Sequence, residues 1–162
     1  ASGLDEAVTS MTTLNSAAAS VMLSQNVKAA TDVTGFGLLG HLGNMLKASS
    51  IAAQTALGAN LSYAKIPLFE GVEALLEQGL CPAGTRRNLE TAAPLTEFSA
   101  SISSSHQLLL ADAQTSGGLL MAVPEANLEA LMTELKENMV ANCAVVGQVV
   151  RALQPAAIQV GY

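Results

Sequence analysis

Basic residues are scarce in this chain: seven Lys and Arg stand against thirteen Asp and Glu over 162 residues, a formal net charge of −6. A nucleic-acid surface needs many cations to displace the counterions on phosphate, and Arg86-Arg87 is the only basic pair, so nucleic acid is not an expected partner. Cysteine is equally sparse. Cys81 and Cys143 form no C-x-x-C pair and no zinc-binding spacing, which points to a reducing, cytoplasmic compartment. Long apolar runs are missing too: none approaches the ~18 residues that would suggest a membrane span, and no signal peptide is visible. A membrane is therefore not expected as a partner. An initiating methionine is absent, since the chain starts Ala1-Ser2, which fits either a processed protein or a piece excised from a longer one. Charged residues make up 12% of the chain while hydrophobic ones make up half, a balance that excludes disorder. The length suits one domain, and a chain of this size buries about 68–70% of its unfolded surface without needing staples.

What is present is an alternation of helical and extended patterns. Leu4, Val8, Met11, Ala18 and Met22 fall on a helical repeat and predict a helix from Leu4 to Gln25, with Ser2 as N-cap and Gln25-Asn26 as the stop. Val27 to Thr31 predicts a short strand, and Leu38 to Ser49 a helix with Leu38, Leu42, Met45 and Leu46 on one face. The charge-free run Ile51 to Leu61 predicts a strand, and Pro67 opens a helix that ends at Gly79. After the loop Cys81 to Gly84, Thr85 can cap a short turn through Leu89. Pro94 to Ser105 reads as a surface connection and His106 to Ala111 as a short apolar piece. Leu119 to Val123 predicts a strand and Pro124 opens an amphipathic helix carrying Leu128, Leu131, Met132, Leu135 and Met139. Cys143 to Val150 reads as a buried strand, Ala156 to Val160 as the last one, and the two can pair as a hairpin. The expected fold class is α+β, a layered domain with a mixed sheet packed against helices.

Chemistry concentrates in Thr31-Asp32-Val33-Thr34-Gly35-Phe36-Gly37-Leu38-Leu39-Gly40. An acid at a strand end, then a glycine-rich turn, then a helix start, suits a metal-bound phosphate. The helix start offers backbone N–H groups, glycine lets the backbone come close, and a carboxylate can hold Mg²⁺. Asp32 is thus the candidate metal ligand, with Thr34, Gly35 and Gly37 as candidate cofactor-binding residues. The G-x-G-x-x-G match at Gly35 to Gly40 suggests a dinucleotide fold, but that fingerprint needs an acid about 20 residues on, and no Asp or Glu occurs from Val33 to Phe69. A plain turn-forming role for Asp32 is the competing reading, and a single carboxylate needs partner ligands from elsewhere. His41 and His106 read as packed, hydrogen-bonded residues, Cys81 as an unreactive thiol, and Arg86-Arg87 as a solvated helix start as readily as a phosphate contact. Asp112-Ala113-Gln114-Thr115-Ser116-Gly117-Gly118 is a second turn with an acid, a threonine and glycines, and it reads as structural because it runs straight into a strand.

Thr31 to Leu42, Asp112 to Leu120 and Gly84 to Leu89, with Ser10-Met11 and Leu14-Asn15 ahead of them, resemble in order and separation the motifs of selenophosphate synthetases (selenide, water dikinases). The resemblance implies a C-terminal domain of the type shared with aminoimidazole ribonucleotide synthetases, spanning residues 1–162. It implies that an N-terminal domain, absent from this chain, carries dimerisation, most of the ATP site, and the family's lysine and cysteine or selenocysteine. It implies conversion of selenide, ATP and water to selenophosphate, AMP and phosphate, with Mg²⁺ between phosphates and aspartates. Asp32 would be the one magnesium ligand from this side, this domain alone would be inactive, and the full-length enzyme would be a homodimer. The family usually has proline after the second motif's aspartate, where this chain has Ala113. Two other readings stand beside it: a superfamily member acting on a phosphorylated purine precursor, and a non-catalytic binding domain.

Overall fold

The computed structural model describes residues 3–162, so the expected N-cap Ser2 lies outside the described residues. The chain opens with two helices, α1 (Gly3–Thr12) and α2 (Ser16–Ser24), where the periodicity predicts one. The break falls at residues 13–15, where the Asn15 side chain donates to the distant Gly117 carbonyl at 2.8 Å. The apolar repeat is split accordingly. Ala18 and Val21 of α2 are buried, whereas Leu4, Val8 and Met11 of α1 are exposed. Asn26, at φ 54°, ends the helical segment where Gln25-Asn26 predicts a stop.

β1 (Ala29–Asp32) leads into α3 (Gly37–Ala53), a longer helix than its stripe suggests. Gln54 terminates it in the left-handed conformation, so the run from Ile51 yields a strand only at β2 (Leu57–Ser62). Pro67 does not open the next helix. Gly71, at φ 81°, sits before α4 (Val72–Glu77) instead. Pro82 precedes α5 (Ala83–Ala92), which takes in both Ala83-Gly84 of the expected loop and Thr85. The connection from Pro94 holds an unforeseen strand, β3 (Thr96–Phe98), and His106 lies on α6 (Ser104–Leu110), whose N-cap Ser103 accepts from the His106 N–H. β4 (Leu119–Ala122) and α7 (Glu125–Glu137) follow as the sequence predicts.

β5 (Gly147–Arg151) and β6 (Ile158–Gly161) correct two expectations. They do not form a hairpin, because β2 lies between them in a four-stranded sheet of order β3-β6-β2-β5. β2 pairs antiparallel with β5 and parallel with β6, and β3 pairs parallel with β6. As an edge strand β5 is largely exposed rather than buried, and Val149 faces solvent. The separate β1–β4 pair is antiparallel and aligns Asp32 with Leu119. The fold is α+β with a mixed sheet, as the sequence leads one to expect.

Two apolar clusters hold these layers. Leu39, Leu42 and Leu46 of α3 pack with Leu61, Ile158 and Val160 of the larger sheet and with Leu110 of α6. Ala18 and Val21 of α2 pack with Leu131 and Leu135 of α7, against Leu119 and Met121 of β4. The β1–β4 ladder therefore runs between a helix pair on one side and α3 on the other, and Asp32 stands at its end.

Candidate functional site

Antiparallel pairing brings the two polar turns to the same end of the small sheet, since one follows β1 and the other precedes β4. Their backbones lock together. Val33 N–H donates to the Gly118 carbonyl at 3.0 Å, and Gln114 N–H to the Thr34 carbonyl at 3.1 Å. The approach is so close that only glycine fits at two points. A Cβ on Gly117 would lie 2.1 Å from the Val33 oxygen, and one on Gly37 would lie 2.5 Å from the Ala111 carbonyl carbon and oxygen. Gly37 also has φ 67°, a left-handed conformation that disfavours any other residue.

The helix α5 adds a third strut. Thr85 and Asn88, one turn apart, project from the same side of it. Fully buried Thr85 donates its hydroxyl to Asp112 Oδ1, and Asn88 Nδ2 donates to the carbonyls of Gly35 at 2.8 Å and Ala111 at 3.1 Å. Three segments far apart in sequence thus meet through side chain and backbone. Asp112 and the Gly117 turn serve this lock, in keeping with the structural reading of that turn, and Thr85 is an anchor inside α5 rather than a cap. Asn15 and Asn88 are the residues whose part residue-type reasoning does not reveal. A threonine and an asparagine three apart on one helix is the local signal that was there to be read.

Asp32 differs from Asp112, the acid of the second turn. Its carboxylate is exposed and has no hydrogen-bond or ion-pair partner among the described residues, while its carbonyl accepts from Thr31 Oγ1 at 3.0 Å. The Thr34 hydroxyl is 3.1 Å from His41 Nε2, and the Phe36 ring lies against the His41 imidazole at 5.4 Å between centroids. His41 is accordingly a packed, hydrogen-bonded residue that steadies the turn. Gly35 is exposed, with open space where a side chain would be, and Gly37 N–H donates within the turn to the Thr34 carbonyl at 3.0 Å. Phe36, at the α3 N-cap, makes no side-chain capping bond. Among the described residues no group of three or more His, Cys, Asp or Glu is placed to hold a metal ion. An unpaired oxygen donor fits one ligand of a hard cation, and one ligand only, while the helix start beside it favours an anion such as phosphate.

The remaining candidates lie apart from this constellation. His106 stacks on Tyr63 at 4.1 Å and its Nε2 is 3.5 Å from Glu73 Oε1. Its Nδ1 is buried without a hydrogen-bond partner among the described residues. Tyr63 donates to Glu73 Oε1 at 2.6 Å, and burial, reinforced by that carboxylate, pushes its phenol well above the usual range. Cys81 and Cys143 are both free, and burial pushes the Cys143 thiol up. Arg86 and Arg87 are exposed on α5.

The profile of the family described as "AIR synthase related protein, C-terminal domain" matches residues 2–157. This chain belongs to that family. Within the AIR synthase related family it is similar to proteins named selenide, water dikinase. That of Carboxydothermus hydrogenoformans is 43% identical over 127 residues, covering 78% of this chain and 35% of the relative. That of Pelobacter propionicus is 37% identical over 146 residues, covering 90% and 40%. That of Pseudomonas aeruginosa is 46% identical over 126 residues, covering 75% and 33%. The chain therefore spans roughly a third of the length of these curated relatives. No described helix is long and apolar enough to cross a membrane.

Proposed function

We propose that this chain is the C-terminal domain of an ATP-dependent selenophosphate synthetase, which converts selenide, ATP and water to selenophosphate, AMP and phosphate. The name shared by the relatives supports that reaction over one on a phosphorylated purine precursor. In this reading the domain contributes Asp32 as one Mg²⁺ ligand at an ATP site whose other ligands come from an N-terminal domain. The observation that supports the role is the contrast between the two acids of the paired turns: Asp112 is engaged by Thr85, whereas the exposed Asp32 carboxylate has no hydrogen-bond or ion-pair partner among the described residues.

Bound Mg²⁺ would supply neutralisation of phosphate charge. The work of this chain is positioning. The Gly37 and Gly117 contacts and the Asn88 bonds fix the backbone on which Asp32 stands, so only the carboxylate's own side-chain torsions remain to be set when the cation arrives. Thr34 and the exposed Gly35 form the edge that phosphate would meet, beside the positive end of α3, while Gly37, expected from the sequence to join them, is buried with its N–H engaged and shapes that edge from beneath. Leu4, Val8 and Met11 leave an apolar stripe on α1 that an N-terminal domain would cover, and that domain would also carry the homodimer contact.

The experiment joins this chain to an N-terminal domain from one of the relatives and measures AMP release with and without selenide. Selenide-dependent AMP is expected. AMP or ADP formation that responds to a formylglycinamidine ribonucleotide and ignores selenide would replace this reading with the purine one.

A further inference from the structure

Beyond the Asp32 turn, a groove of about 340 Å³ runs between α3 and α5. That volume is in the range of small-molecule sites. Its lining is apolar at Leu39, Leu95 and Ile158, and includes the exposed Phe36. Two of the seven cationic residues of this acidic chain, Lys47 and Arg87, line it, and no carboxylate does. Neither cation is in an ion pair among the described residues.

Helix α3 is built to leave this space open. Gly43 lies in the middle of the helix, where glycine is unfavourable relative to alanine. A Cβ there would find no neighbouring atom within 4 Å, so packing does not demand the glycine. Gly40, by contrast, is needed for Phe36, because a Cβ there would lie 2.7 Å from the Phe36 Cβ. One glycine seats the aromatic residue and the other leaves the groove open.

An apolar lining, an exposed aromatic residue and two uncompensated cations match one ligand chemistry: a planar or apolar body carrying phosphate. We propose that the α3–α5 groove is a binding site for a phosphorylated small molecule of nucleoside-monophosphate type, held by Lys47 and Arg87 through phosphate and by Phe36 and the apolar lining through its base. The groove shares Phe36 with the turn that carries Asp32, but Asp32 does not line it and the proposal does not rest on the metal reading of that residue. Asn88, which lines the groove and also bonds the Gly35 carbonyl, joins the two.

The test is an amide NMR titration of this chain with AMP, using adenosine and inorganic phosphate as controls. Saturable shifts are expected at Gly40, Gly43, Asn44 and Thr91. Adenosine should bind at least about tenfold more weakly, since charge-assisted contacts are lost. Lys47→Gln and Arg87→Gln should each weaken AMP by a similar factor, and Gly43→Leu should block it. If Gly43→Leu disturbs folding, the two charge variants, both at exposed positions, decide the matter alone. Absence of saturation at about 1 mM AMP, or equal binding of adenosine, would overturn the proposal. So would shifts confined to residues 31–34 and 112–118, which would move AMP to the other site and leave the reading of Asp32 standing.

Discussion

Replacing Asn88 by alanine removes the side chain that ties α5 both to the first turn and to the end of α6 just before the second. Its Nδ2 donates to the carbonyls of Gly35 and Ala111, and these two acceptors differ in what they lose. Gly35 is exposed, so water replaces the bond and the cost is near the net value of an ordinary hydrogen bond, about 0.5–1 kcal/mol. Ala111 is fully buried, so its oxygen is left without a partner at a cost of about 1–3 kcal/mol. Together they predict a loss of about 1.5–4 kcal/mol. For a chain of this size each kcal/mol moves the melting midpoint by about 2–4 °C, which gives a drop of about 3–16 °C by circular dichroism. Asn88→Asp should be worse than Asn88→Ala, because a carboxylate would face two carbonyl oxygens. A midpoint unchanged within about 1 °C for Asn88→Ala, or an Asp variant as stable as the parent, would refute the claim that Asn88 ties these segments together.

Gly37→Ala should cost more than about 2 kcal/mol in a urea titration, since a left-handed φ alone costs roughly 1–2 kcal/mol and the new methyl meets the Ala111 backbone. Gly43→Ala should instead stabilise the chain by about 0.5–1 kcal/mol in the same titration, because its methyl enters open space. Glu134 accepts from Ser24 Oγ and Gln25 Nε2, both at 2.6 Å, and these bonds, Ser24 first, hold its carboxyl below the usual value of 4.5. A depressed folded pKa means that the contribution is present above that usual value and fades as pH falls through the lower folded one. Glu134→Gln should therefore lose stability near neutral pH relative to the parent, and the gap should close on acidification in melting curves taken down a pH series.

Local pattern made α3, α7 and the small-sheet strands legible, because each carries its own periodicity or runs between strong turn signals. The failures have a common physical source in contacts made at long range. The break between α1 and α2 coincides with Asn15 reaching a carbonyl 102 residues away. β3 is three residues long and exists because β6 offers an edge, which no alternation within Thr96–Phe98 announces. The expected hairpin failed because β2 takes the place between β5 and β6. At the site, Asp32 and the glycine turn were visible as residue types, and the second turn was visible as an echo of the first. That the two are hydrogen-bonded neighbours braced by Thr85 and Asn88 follows only from the antiparallel pairing of Asp32 with Leu119.

The most direct measurement is the Mg²⁺ dependence of turnover in this chain joined to an N-terminal domain, comparing the parent with Asp32→Asn. Loss of even an outer-shell partner of a metal ligand typically costs about 10–100-fold in affinity. The predicted result is an activation midpoint moved to at least about tenfold higher Mg²⁺, with the far-UV circular dichroism unchanged because the carboxylate has no partner in the fold. Superimposable Mg²⁺ curves for the two proteins would contradict the account, and Asp32 would then be a turn residue and nothing more.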